Sequence, residues 1–160
     1  MAELVRTRGE RLARRTSGRG PLREFLTFVL GKDVFGVELA RVKEILSPPP
    51  ITPVPRAPVE VVGVCSVRGL LVTVVDLRVR LKLEVRPDTR RTRILLAVAT
   101  SGEAVGLWVD EVLQVVRLAE GDMELATGVG TEVSEYVLGV GRPQGEFIIL
   151  LDLAALVTGS

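Results

Sequence analysis

The 160-residue chain is 47% hydrophobic but only 4% aromatic, and its net charge is +1. Its core must therefore be built from Val, Leu and Ile, which favours β structure in one domain or in two small barrels sharing a core. The sequence contains no histidine and a single cysteine, Cys65. That excludes serine–histidine and cysteine–histidine nucleophile pairs, the commonest transition-metal ligand and any disulfide within the chain.

Residues 1–23 carry seven arginines (6, 8, 11, 14, 15, 19 and 23) against Glu3 and Glu10, a balance of +5, which leaves −4 on the remainder. Residues 1–22 are expected to form a basic arm, with nucleic acid or an acidic partner as its possible targets. No aromatic side chain stands among those arginines to stack on bases.

From residue 23 to residue 158 a β domain is expected. Phe25–Leu30 and Val34–Leu39 read as strands joined by a Gly31-Lys32-Asp33 turn, an antiparallel hairpin. Leu39, Val42 and Leu46 recur at helical spacing, so one or two helical turns are expected over Ala40–Leu46, with Glu44 off the apolar face. Pro48-Pro49-Pro50 ends that helix, and six of the nine prolines fall in residues 48–58, an extended segment expected to pack on a barrel. Val59–Val64 and Leu70–Val75 are two β-branched runs whose link ends in Arg68-Gly69. Gly69 suits a sharp reversal, and Arg68 at its tip is a planar, permanently charged fork able to bind a carboxylate bidentately.

A charged loop over residues 82–93, with Pro87 and arginines 86, 90, 91 and 93, is the expected internal boundary. Beyond it Arg93–Thr100, Ala104–Val109 and Val112–Leu118 read as strands, and Ala119–Met123 as a one-turn helical connection. Residues 126–134 read as a loop, and Glu135–Val140 with Glu146–Leu151 as a last hairpin across Gly141–Gly145. Asp152 opens a short terminal helix. Gly128 and Gly130 are not followed by a helix-opening pattern, and no phosphate-cradling loop or metal-ligand cluster stands out. No apolar run approaches the roughly 18 residues that span a bilayer. The expectation is a soluble cytoplasmic binding protein with no catalytic residue, metal, cofactor or membrane insertion.

Five stretches in order, EFLTFVLGKDVFGVELARVKEIL, GVCSVRGLLVTVVDLR, VGLWVDEVLQVV, EYVLGV and FIILLDLAALV, resemble the CheW family of bacterial chemotaxis coupling proteins over nearly all of Glu24 to Val157. The resemblance implies an all-β fold with short helices, in which two five-stranded SH3-like barrels share a central hydrophobic interface. It also implies an adaptor without enzymatic activity in chemoreceptor arrays. One surface would grip the cytoplasmic hairpin tip of a chemoreceptor and another the regulatory domain of a CheA-type histidine kinase. Arg68 aligns with the arginine of the family turn linked to receptor coupling. Val42 and Glu44 align with receptor-contacting helix positions, with Ile45 adding apolar area. Gly63 and Gly69 match backbone-shape positions, and Asp76 and Arg78 a structural ion pair. Kinase-facing residues are not assigned. Ser66, Val67 and Thr73 replace an asparagine, a leucine and a proline of the family pattern. A divergent relative that binds receptor but not kinase, and so modulates array assembly, is the alternative reading.

Overall fold

A computed structural model describes residues 21–125 and 135–158. Most of the expected basic arm, and the expected loop at 126–134, lie outside the described residues. Eleven strands run in chain order: β1 (Arg23–Leu30), β2 (Asp33–Glu38), β3 (Glu44–Leu46), β4 (Val61–Val67), β5 (Leu70–Asp76), β6 (Arg93–Val98), β7 (Ala104–Val109), β8 (Glu111–Leu118), β9 (Met123–Leu125), β10 (Val137–Gly141) and β11 (Ile148–Leu151). Among the described residues the α-helices are α1 (Leu77–Arg80) and α2 (Leu153–Thr158), both short.

The strands form a six-stranded sheet, ordered β8-β1-β2-β11-β10-β9, and a five-stranded sheet, ordered β3-β6-β7-β5-β4. This is the mostly β, two-unit architecture expected, with the short β9 as a sixth strand on one sheet. The sheets interleave along the chain. The loop at 82–93, expected as the internal boundary, instead joins β5 and α1 to β6 within the five-stranded sheet. The six-stranded sheet takes its strands from both ends of the described chain, and β11 closes against β2 in parallel through Ile149–Phe35 and Leu150–Gly36.

In each sheet the two outer strands, β8 and β9 or β3 and β4, are consecutive in sequence. The polypeptide itself therefore bridges each sheet's open side. Between β3 and β4 this bridge is the proline-rich segment. Thr52 and Val64 there exchange backbone hydrogen bonds, each of 2.8 Å. Gly63 permits that approach, because a Cβ on it would stand 2.3 Å from the Thr52 carbonyl oxygen and its φ is +154°.

Alternation along the strands sorts side chains into separate cores. Leu26, Phe28 and Leu30 of β1 and Phe35 of β2 meet Leu95, Ala97, Val105 and Leu107 of the other sheet in a central cluster. Leu153 and Leu156 of α2 join that cluster. The alternate residues turn the other way: Ile94 and Leu96 pack with Cys65, Val72 and Val74, and Phe25 packs with Leu118, Ile148 and Leu150. Strands buried on both faces explain why these runs read as continuously apolar.

One departure is local. The helix expected over Ala40–Leu46 is a single 3-10 turn, Leu39–Arg41, followed by β3. β3 pairs antiparallel with β6, Glu44 opposite Leu96 and Leu46 opposite Ile94, and Lys43 N–H donates to the Leu96 carbonyl at 2.7 Å. The ladder outweighs a weak three-residue helical period, and the β-branched Val42 and Ile45 suit the extended form.

Arg78 is only 3% exposed and is enclosed by carboxylates. Its Nε and one terminal nitrogen donate to the two Asp76 oxygens, both at 3.0 Å, and its other terminal nitrogen donates to Asp110 Oδ1 at 2.8 Å and to the Arg86 carbonyl at 2.9 Å. Burial opposes the charge, but the hydrogen bonds donated to Asp76 and the fields of Asp76, Asp110 and Asp88 outweigh it and raise the Arg78 pKa. Asp110 lies between β7 and β8. Its second oxygen accepts the Gly31 N–H at 2.7 Å, so the cluster ties the five-stranded sheet to the β1–β2 turn of the other.

Two outcomes check these features. Arg78→Met leaves two inward carboxylates without their cation, and urea unfolding is expected to show a loss of about 3–5 kcal/mol; an unchanged midpoint would mean the carboxylates are satisfied by solvent. Gly63→Ala, which must push the Thr52 segment away, is expected to cost about 1–3 kcal/mol in the same assay, and a neutral result would remove that segment from barrel closure.

Candidate functional site

The β4–β5 hairpin turns through two residues, Arg68 and Gly69, with Val67 opposite Leu70. Both have positive φ, +51° at Arg68 and +81° at Gly69, the backbone of a type I′ turn, whose twist matches that of the flanking strands. A Cβ at Gly69 would meet nothing within 4 Å, so glycine is needed there for its backbone angle rather than for space. Arg68 is not a residue that favours the left-handed region, and its side chain has a specific partner.

That partner is Glu44. The two terminal guanidinium nitrogens of Arg68 each donate to one Glu44 carboxylate oxygen, a bidentate pair. Glu44 sits on β3 and Arg68 at the end of β4, the two edges of the five-stranded sheet, so the pair spans the seam closed by the proline-rich segment. The side chain of Arg68 is 71% exposed and that of Glu44 29%, so the fork is held in place yet open to solvent. The Arg68 hydrogen bond lowers the Glu44 pKa, and desolvation opposes it; the same contact raises the pKa of Arg68. A lowered carboxyl pKa means that the pair is complete at neutral pH and is lost only as pH falls through that lowered value.

Val42, just after the 3-10 turn, is half-buried against the central core, while Ile45 on β3 is 43% exposed. Leu70 and Leu71 beside Arg68 are 53% and 67% exposed. Sequence reading placed these leucines at the start of a β-branched run, Leu70–Val75. The hairpin carries them to the surface, and their adjacency to Arg68-Gly69 was the available signal. The arrangement is a fixed bidentate charge pair flanked by exposed aliphatic side chains, a surface suited to gripping another protein.

Reactive chemistry has no comparable centre among the described residues. Burial pushes the Cys65 thiol up, away from the thiolate form, and no group of three or more Cys, Asp or Glu side chains is placed to hold a metal ion. A cleft of about 320 Å³ between the five-stranded sheet and α2 holds Arg80 and Glu60, which neutralise one another at 3.1 Å. Trp108 is half-buried and its indole N–H donates to Asp88 at 3.2 Å. No described helix is long and apolar enough to cross a membrane.

The CheW-like domain family model matches residues 24–160. Among curated relatives, chemotaxis protein CheW of Rhizobium meliloti (strain 1021) is 32% identical over 132 residues, 82% of this chain and 84% of that protein. Protein FrzA of Myxococcus xanthus is 34% identical over 140 residues, 86% of each. Among solved structures, the scaffolding protein TtCheW from Thermoanaerobacter tengcongensis superposes with a TM-score of 0.80 at 26% identity, covering 86% of this chain and 94% of that one. Sequence, strand topology and these matches agree that the chain belongs to the CheW-like domain family.

Proposed function

We propose that this chain is a non-enzymatic adaptor that couples the cytoplasmic tip of a chemoreceptor to a CheA-type histidine kinase in a cytoplasmic chemosensory array. The observation that carries the reading is the Arg68–Glu44 pair, an exposed fork fixed at the seam of a closed barrel. Receptor tips are charged helical bundles. A bidentate cation can fix register on such a bundle, while Ile45, Val42 and the two hairpin leucines supply apolar area. Charge then sets specificity and the apolar contacts most of the affinity. Relatives named as chemotaxis and scaffolding proteins support the same reading. The adaptor needs no cofactor, because its work is to hold two proteins in one geometry.

Co-sedimentation with receptor-tip assemblies tests the site. Arg68→Glu is expected to abolish co-sedimentation while shifting the thermal midpoint by no more than about 2 °C, since the lost contact is exposed. The swap Glu44→Arg with Arg68→Glu restores a pair of opposite charges across the seam but presents the wrong sign at the hairpin tip, and binding is expected to stay lost. Recovery of binding in the swap would show that the pair only braces the barrel.

A second assay separates the partners. Offered the kinase regulatory domain alone, the chain is expected to be retained, and the Arg68→Glu variant to be retained equally. Retention on receptor but not on kinase would make the protein a receptor-only coupler.

A further inference from the structure

We propose that the loop over residues 82–93 is a second docking site, separate from the Arg68 hairpin, and that it holds an acidic segment of a partner protein. The loop joins α1 to β6 and contains Lys82, Arg86, Arg90, Arg91 and Arg93 against Glu84 and Asp88, a balance of +3. The other described residues carry ten cations and fifteen carboxylates, a balance of −5. A cationic patch therefore stands on an otherwise acidic domain.

The backbone of the loop is pinned along its length. The buried Arg78 donates to the Arg86 carbonyl at 2.9 Å and lies 3.6 Å from Asp88, which also accepts the Trp108 indole N–H at 3.2 Å. Thr92 is 3% exposed and its hydroxyl accepts the Thr89 N–H at 3.0 Å. The Thr89 hydroxyl in turn accepts the Arg91 N–H, also at 3.0 Å. One terminal nitrogen of Arg93 closes this turn, donating to the Arg90 and Thr92 carbonyls, each at 2.8 Å. Asp88 and Arg93 are thus occupied in holding the loop. The exposed side chains of Arg86 and Arg90 make no hydrogen bond or ion pair among the described residues. Arg91, 73% exposed, has only a 3.6 Å contact with Glu111. Three guanidinium forks leave a fixed backbone with donors available, so little backbone ordering is needed on binding.

Charge selects an anionic partner, and the surroundings select a protein. A nucleic-acid backbone carries its charge well beyond one loop and would meet the acidic remainder of the domain. Residues 82–93 also hold no aromatic side chain to stack on a base. An anionic membrane would meet the same repulsion over a larger area. A short run of Asp or Glu presents its charge locally, and each carboxylate matches a guanidinium fork bidentately. Val85, 52% exposed, and the exposed Pro87 flank Arg86 and add aliphatic contact for a peptide chain. The Arg68 tip precedes β5 and the loop follows α1 at its other end, with about 20 Å of strand between them. One chain can therefore hold a partner at each.

Fluorescence of Trp108, the only tryptophan of the chain, reads binding beside the loop without background from elsewhere. Titration of the full chain with a short glutamate-rich peptide is expected to change the emission. The dissociation constant is expected to be on the order of tenfold tighter than in Arg86→Gln/Arg90→Gln. Arg41→Gln/Arg117→Gln removes the same charge from exposed positions elsewhere and is expected to bind like the unaltered chain. Both variants keep the arginines of residues 1–20, so any contribution from those cancels. An unchanged emission at saturation, or equal affinities in the two variants, overturns the proposal. Single-stranded DNA or phosphatidylglycerol vesicles that bind more tightly than the peptide, and lose that advantage in Arg86→Gln/Arg90→Gln, overturn the choice of a protein segment. Self-association without peptide that Arg86→Gln/Arg90→Gln abolishes overturns it too, by placing a second copy on the loop.

Discussion

Arg78 is a nearly inaccessible cation held by Asp76 on one side and Asp110 on the other. Taking a guanidinium out of water is expensive, and only a full set of well-placed acceptors offsets the cost. Those acceptors come from the end of β5, the β7–β8 junction and the loop after α1, and Asp110 extends the cluster to the β1–β2 turn. Hydrophobic burial alone would let two apolar sheets slide over each other, because it has no direction. The directed bonds around Arg78 fix which strand ends meet. They do so where the chain passes from the five-stranded sheet into the six-stranded one.

The outer surface inherits that rigidity. Arg68 and Glu44 are far apart in the strand order, yet both are positioned by elements anchored in apolar clusters, β5 through Val72 and Val74 and β3 through Leu46 against the same core. A recognition pair on such a frame loses little side-chain entropy on engagement, because its geometry is already set. The family's function as a coupler is consistent with a frame held by buried apolar clusters that presents a fixed charge pair at its edge.

Much of the β content was legible. Apolar, β-branched runs marked nearly every long strand, and the Arg-Gly dipeptide marked the central hairpin turn. The stretch from Ala40 to Leu46 misled because three aliphatic residues at helical spacing are a short signal, and the β6 edge that captures Glu44–Leu46 lies about fifty residues away. The same distance problem hid the sheet assignment, for nothing local in Phe35 announces a parallel neighbour at Ile149. The Asp76–Arg78 pair was available through the resemblance to the family's Asp-Leu-Arg, whereas Asp110 as a further partner was not. Arg68 was legible as an outward cation; its carboxylate partner was not, since Glu44 reaches it only once the barrel has curled shut.

The interleaved topology sets an order on synthesis. All five strands of the β3–β7 unit are translated before β8 begins, so none of them has to wait for a strand of the other sheet to be made. The other sheet has to wait, because β2 stays an unpaired edge on one side until β11, more than a hundred residues downstream, slots in beside it. During that interval Phe35 and its neighbours form a sticky ledge on a half-finished protein. The interval, rather than the mature surface, is where a chain of this design is most exposed to mispairing with its neighbours.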